Sequence, residues 1–135
     1  MSCVSGIAIS TMLQACGVTK IISGSISGSD LIIPLSDFNT IKKGITTFKK
    51  YVVVKNEHLQ FPICIYRFSE QNYSALYMRC THQGAELQVF GDKLQCPAHG
   101  SEFSNKGEAS NPPAIENLRT FPVTILNDQI KISLL

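Results

Sequence analysis

The sequence predicts a mainly β fold, and three observations carry that expectation. Short runs rich in β-branched and aromatic residues recur along the chain. Residues such as Asn56, Pro62 and Asn72 flank or punctuate them. No stretch shows the apolar period of a long amphipathic helix, and no internal repeat is present.

Taken in order, residues 1 to 16 come first, an apolar segment too short for the ~20 residues that cross a bilayer as a helix. It has the length of a signal-peptide hydrophobic region. Its tail, Leu13-Gln14-Ala15-Cys16, resembles a bacterial lipobox, after which Cys16 would be lipidated and head the mature chain. No Lys or Arg precedes the apolar stretch, a departure from that pattern. Ser23 to Asp30, rich in Ser and Gly, reads as a flexible tether, so residues 1–30 form a signal-like segment and linker and 31–135 the folded domain.

Within the domain, Leu31 to Leu35, Tyr51 to Val54, Ile63 to Phe68 and Ala75 to Met78 read as strands. The stretch around Lys42, Lys43, Lys49 and Lys50 reads as a solvated loop and strand edge. Val89-Phe90 and Lys93 to Gln95 flank Gly91-Asp92, a turn pair suited to a hairpin. A second hairpin joins Phe121 to Leu126 with Gln129 to Leu135 around Asn127-Asp128, placing Ile130, Ile132 and Leu134 on one face.

Net charge is +2, too weak for a nucleic-acid partner, and no basic run interleaved with aromatics appears. Nucleophile elbows, phosphate loops and dinucleotide fingerprints are missing from the sequence. The five cysteines are odd in number and scattered, which opposes a disulfide framework and favours metal ligation plus isolated thiols. Cys64 sits in an apolar run and reads as a small buried hydrophobe.

The chemistry concentrates in two segments, Cys80-Thr81-His82-Gln83-Gly84 and Cys96-Pro97-Ala98-His99-Gly100-Ser101. Each offers one thiol and one imidazole and then a glycine, which permits the backbone angles a metal loop needs. Two Cys and two His suit either a closed zinc site or a [2Fe–2S] cluster. Typical zinc spacings pair Cys with Cys and His with His, whereas each arm here mixes the two.

The pattern Cys-Thr-His-x-Gly followed by Cys-Pro-x-His-Gly-Ser resembles the two motifs of the Rieske family. Asn111-Pro112-Pro113-Ala114 with Asn117-Leu118 and Pro122-Val123 is similar to that family's proline loop and following strand. The resemblance covers about residues 31 to 135. It implies an antiparallel β sandwich or barrel bearing a small cluster-binding subdomain at about residues 78–115. It further implies one [2Fe–2S] cluster, with Cys80 and Cys96 on one iron and His82 and His99 on the other. Ser101 falls where high-potential members place a serine hydroxyl that hydrogen-bonds a cluster sulfur. Phe103 stands where those members have a second donor, a tyrosine. Ala85 and Ala98 occupy positions where quinol-oxidising members carry a disulfide, and Gln83 one where they carry an apolar residue.

The resemblance therefore implies one-electron transfer, with no catalysis by the chain alone and an intermediate potential. The leading expectation is a membrane-tethered, extracytoplasmic (periplasmic) carrier anchored by lipid on Cys16. It would serve a respiratory oxidoreductase, such as a quinol–cytochrome or arsenite-oxidase-like complex, with a cytochrome c type acceptor. The alternatives are a cytoplasmic Rieske ferredoxin feeding a ring-hydroxylating oxygenase and a zinc-stabilised binding module.

Overall fold

The computed structural model describes residues 19–135. The lipobox-like segment with Cys16 lies outside them. The described chain is built almost entirely of strands, with a single 3-10 turn at Leu35–Phe38 and no α-helix. No helix among the described residues is long and apolar enough to cross a membrane.

In chain order the first strands are β1 (Ile21–Ser23), β2 (Ser25–Ser27), β3 (Asp30–Pro34), β4 (Asn39–Lys42), β5 (Ile45–Phe48), β6 (Tyr51–Lys55), β7 (Ile63–Arg67) and β8 (Tyr73–Tyr77). They are followed by β9 (Gln88–Phe90), β10 (Lys93–Gln95), β11 (Glu102–Ser104), β12 (Ala109–Asn111), β13 (Thr120–Phe121), β14 (Val123–Leu126) and β15 (Gln129–Ser133). Three sheets carry the domain. The central one has the order β1-β6-β7-β8-β13, a second β14-β15-β3-β2, and a third β12-β11-β10-β9. Strands β4 and β5 pair only with each other.

The central sheet is buried on both faces, which explains why Val52 to Val54 and Ile63 to Tyr66 are continuously apolar. Side chains alternate between the faces of a strand. Val52, Val54, Ile63, Ile65 and Ala75 accordingly join Leu31, Ile33, Ile130 and Ile132 of the second sheet in one core. Val53, Cys64, Tyr66 and Leu76 turn the other way and pack with Leu94, Phe103, Cys80 and Cys96. The expected hairpin at the end of the chain is present, with Ile130 and Ile132 fully buried and Asn127 at φ 55° in its turn.

The tether expected over Ser23 to Asp30 is instead β structure. β1 pairs in parallel with β6, and β2 pairs antiparallel with β3. Ile22 and Ile26 pack against the core of the second sheet. Gly24 serves close approach rather than flexibility, because a Cβ there would lie 2.7 Å from Leu31 Cδ1 and 2.8 Å from Val54 Cγ1. Composition alone does not separate a glycine that is free to move from one that is pressed between two side chains.

Cys64 is fully buried, as its apolar run suggested. Burial pushes its thiol well above the usual range, and Tyr66 beside it is pushed up for the same reason, followed by the repulsion of Cys64. The Tyr66 hydroxyl donates to the Gly91 carbonyl at 3.0 Å, tying the turn of the third sheet to the central one. Both groups favour their neutral forms in the fold. Their stabilising effect is complete below the ordinary thiol value of 9.0 and is lost as pH rises above it. Urea midpoints are therefore expected to fall from about pH 9 upward, and the fall should be smaller in Cys64→Ala.

Candidate metal centre

Two loops of matched backbone form the site. The first spans residues 80–85, between Met78 and Leu87, where the Leu87 N–H donates to the Met78 carbonyl at 3.0 Å. The second spans residues 96–101, between β10 and β11, where Gln95 faces Glu102. In the first, the Gly84 N–H donates to the Cys80 carbonyl at 2.9 Å and the Cys80 N–H to the Ala85 carbonyl at 2.8 Å. In the second, the Gly100 N–H donates to the Cys96 carbonyl at 3.0 Å and the Cys96 N–H to the Ser101 carbonyl at 2.8 Å. Gly84 at φ 77° and Gly100 at φ 78° close the two loops in the left-handed region that glycine adopts without a steric penalty.

Residue for residue, Cys80 matches Cys96 and Gly84 matches Gly100. The imidazoles break the match, since His82 corresponds to Ala98 and His99 to Gln83. Depth sorts the donors. Cys80 and Cys96 are free thiols, 2% and 3% exposed, in the core cluster shared with Leu94 and Phe103. His82 and His99 are exposed, and their rings meet edge to face with centroids 5.3 Å apart.

A third loop locks these two together. The Asn111 amide donates to the Gly100 carbonyl at 3.0 Å, and Thr81 Oγ1 donates to the Glu116 carbonyl at 2.8 Å. The Ala114 N–H donates to Ser101 Oγ at 3.0 Å. Ser101 is fully buried, and its oxygen is occupied as an acceptor. Its hydroxyl proton has no acceptor among the described residues, leaving a donor for a bound group. Phe103 is fully buried in the third sheet opposite Leu94 and has no polar atom to offer. With alanine at 85 and 98, no disulfide can join those two positions.

A closed tetrahedral zinc site needs its ligands gathered around one ion. Among the described residues, no three His, Cys, Asp or Glu side chains are grouped to hold one metal ion. An inner thiol pair, an outer imidazole pair and a spare buried hydroxyl donor match the chemistry of a [2Fe–2S] cluster with Cys on one iron and His on the other. The donor set therefore fits that group.

The Rieske [2Fe-2S] domain model matches residues 40–122, more than half of the chain. The chain belongs to the Rieske family. Two curated relatives align over part of it. One is the oxygenase component of dicamba O-demethylase from Stenotrophomonas maltophilia, 37% identical over 75 residues, or 48% of this chain and 22% of that protein. The other is the cytochrome b6-f complex iron-sulfur subunit 1 of Synechocystis sp., 38% identical over 56 residues, 40% of this chain and 32% of that protein. The chain thus spans no more than about a third of either relative.

Solved structures share the fold. The plasma membrane Rieske protein PetC3 from Synechocystis PCC 6803 superposes with a TM-score of 0.54 at 24% identity, over 62% of this chain and 86% of that one. The ferredoxin of carbazole 1,9a-dioxygenase from Nocardioides aromaticivorans IC177 gives 0.52 at 18% identity, over 76% and 93%. The mainly β Rieske architecture expected from the two motifs is the one observed.

Sequence reasoning missed Thr81 and Asn111, the side chains that fasten the proline loop to the other two. Asn111 stands directly before Pro112, a turn signal that hints at the role without naming the partner. Arg79 was also missed; its guanidinium lies 3.2 Å from where a Cβ on Gly84 would stand. Next to it opens a cleft of about 530 Å³ lined by Arg79, His82, Glu116 and Arg119.

The two loop glycines separate backbone strain from crowding. At Gly100 nothing lies within 4 Å of an added Cβ, so Gly100→Ala should cost only the left-handed penalty, about 1–2 kcal/mol. Gly84→Ala should cost more, and the excess should vanish in an Arg79→Ala background. Urea midpoints of the parent, the three single variants and the Gly84→Ala/Arg79→Ala double variant, purified alike, check both expectations.

Proposed function

We propose that Cys80 and Cys96 hold one iron, and His82 and His99 the other, of a single [2Fe–2S] cluster, and that the chain carries one electron at a time. The depth sorting of the donors supports this best, with the thiols in the core and the imidazoles at the surface. When bound, the cluster takes up and releases one electron, at a potential that neutral imidazoles raise above that of all-thiolate clusters. The residues of the chain do the rest. Leu94, Phe103 and Leu87 keep water from the thiol side, while exposed His82 and His99 form the route by which an electron leaves. The buried Ser101 hydroxyl, with its oxygen taken by the Ala114 N–H, would donate a hydrogen bond to a bound cluster and so stabilise added negative charge, which raises potential. Phe103 cannot contribute a second such bond, so the midpoint falls below the top of the Rieske range of roughly −150 to +300 mV.

The chain is an electron-transfer module rather than an enzyme in its own right. Its setting is better supported as a ferredoxin serving an oxygenase. Ala85, Ala98 and Phe103 all depart from the quinol-oxidising pattern, and the carbazole dioxygenase ferredoxin shares the fold over nearly its whole length. A second reading, a lipid-anchored carrier of a respiratory complex passing electrons to a cytochrome c type acceptor, is favoured by Leu13-Gln14-Ala15-Cys16 and by Ser101.

Reduced protein should give the EPR signal of a [2Fe–2S] cluster with the low average g of mixed Cys and His ligation. A colourless, EPR-silent sample carrying zinc would overturn the proposal. Replacing either histidine with Ser should abolish the signal. Ser101→Ala should keep it but lower the midpoint by on the order of 60 mV, since 59 mV corresponds to a tenfold change for one electron. A strongly positive wild-type midpoint would favour the respiratory setting, and a negative one the oxygenase.

A further inference from the structure

The electron route occupies one end of the domain, and the opposite end has its own surface chemistry. β7 and β8 run from the Ile63/Tyr77 end, where the chain continues into Arg79 and Cys80, to the Arg67/Tyr73 end. From Tyr73 to Cys80 the chain advances about 20 Å at the rise of a strand. At the Arg67 end Tyr51 faces Tyr66, and just ahead of Tyr51 the β4–β5 hairpin projects.

The hairpin has no sheet partner, and every residue from Ile41 to Phe48 is exposed. Ile41 is 73% exposed and Ile45 66%, on either side of a Lys43-Gly44 turn with both φ angles positive. An isolated hairpin is marginal in water. Arg67 braces this one at its base, with its guanidinium 3.9 Å from the centre of the Phe48 ring. From Asn39 to Asn56 the sequence holds Lys42, Lys43, Lys49, Lys50 and Lys55 and no acid. Lys20, Lys42, Lys49 and Lys50 line a common groove of about 430 Å³. Of the acids nearby, Asp37 is already held by Lys20 at 3.4 Å, and Glu70 lines a separate groove with Phe48 and Arg67.

The chain also enters the fold at this end. β1 runs parallel to β6, and Thr19 Oγ1 lies 3.0 Å from the Tyr51 hydroxyl. Cys16 is three residues before Thr19, so no more than about 10 Å of extended chain separates them.

We propose that the β4–β5 hairpin is an interfacial anchor that rests on an anionic bilayer surface. Ile41 and Ile45 enter the interface while Lys42, Lys43, Lys49 and Lys50 meet the phosphate headgroups. Ile41 pairs with Thr46 and Ile45 with Lys42, so the two isoleucines flank the tip on opposite faces and the hairpin enters tip first. Exposed apolar side chains beside lysines there meet the two requirements for such binding, buried apolar area and attraction to anionic lipid. This orientation turns His82 and His99 away from the bilayer. The inference bears on the second setting above and is independent of cluster ligation.

The test is co-sedimentation of the cluster-loaded full chain, in a Cys16→Ser background that cannot be lipidated. Vesicles of phosphatidylcholine alone are compared with vesicles containing phosphatidylglycerol. Binding is expected only with the anionic lipid, and it should weaken as salt rises. It should drop at least about tenfold in Ile41→Ser/Ile45→Ser and again in Lys42→Gln/Lys43→Gln. These side chains are exposed, and an unchanged EPR signal in the same samples certifies the fold. Equal binding by parent and variants would overturn the proposal and place any affinity in residues 1 to 18. So would absence of binding by the parent; slower electron transfer to an acidic redox protein in the lysine variant would then make the hairpin a protein-docking element.

Discussion

Everything at the functional end depends on one repeated backbone device, a cysteine whose N–H and C=O are both bonded across its own loop. Cys80 is held by Ala85 and Gly84, and Cys96 by Ser101 and Gly100, with the four bonds between 2.8 and 3.0 Å. These bonds pin the backbone at each cysteine, and packing against Leu94 and Phe103 in the core holds the thiol inward. A thiol fixed at the base of a tight loop leaves only the outer residues of that loop to reach solvent. The histidines are among those residues. The separation of buried thiols from exposed imidazoles is therefore a consequence of the loop and does not require a bound group to impose it.

The device has to be mounted on something stiff, which the central sheet supplies. One face of β6 to β8 packs on the second sheet and the other on the third. Cys64, Tyr66 and Leu76 lie in the same cluster as Cys80 and Cys96, so the floor of the site is continuous with the core of the domain. Tyr66 adds a polar fastening through Gly91, at the turn of the hairpin that leads into the second loop. Loosening of this core would be felt at the thiols directly.

How much of this could be read from the sequence follows from the range of each signal. Strands β6, β7 and β8 of the central sheet were legible because both faces are apolar, and the hairpins because Gly91-Asp92 and Asn127-Asp128 are local turn signals. The two loops were legible because their donors lie within four residues of one another. β1 and β2 were not, because a Ser/Gly stretch looks the same whether its glycine is mobile or wedged between Leu31 and Val54. The lysine-rich hairpin was read as a solvated edge, since two exposed strands bury nothing and leave little period-two contrast. The fastening of the proline loop by Asn111 and Thr81 was out of reach, because each bond joins residues far apart in sequence to a backbone carbonyl that has no sequence signature.

The matched loops also explain why their motifs differ in spacing. If both arms placed histidine at the same loop position, the correspondence of Cys80 with Cys96 and Gly84 with Gly100 would extend to the imidazoles. It does not: the first arm uses the third residue of its loop and the second arm the fourth. Among the four donors the shift by one position is the break in the correspondence, and it falls on the two side chains whose ring centroids lie 5.3 Å apart. The thiols need no such shift, because equivalent inward positions already bring both into one core. A zinc site closed around one ion would call for all four donors to converge. Here the inner pair keeps the repeat and the outer pair breaks it, which suits a group that presents one iron to each pair.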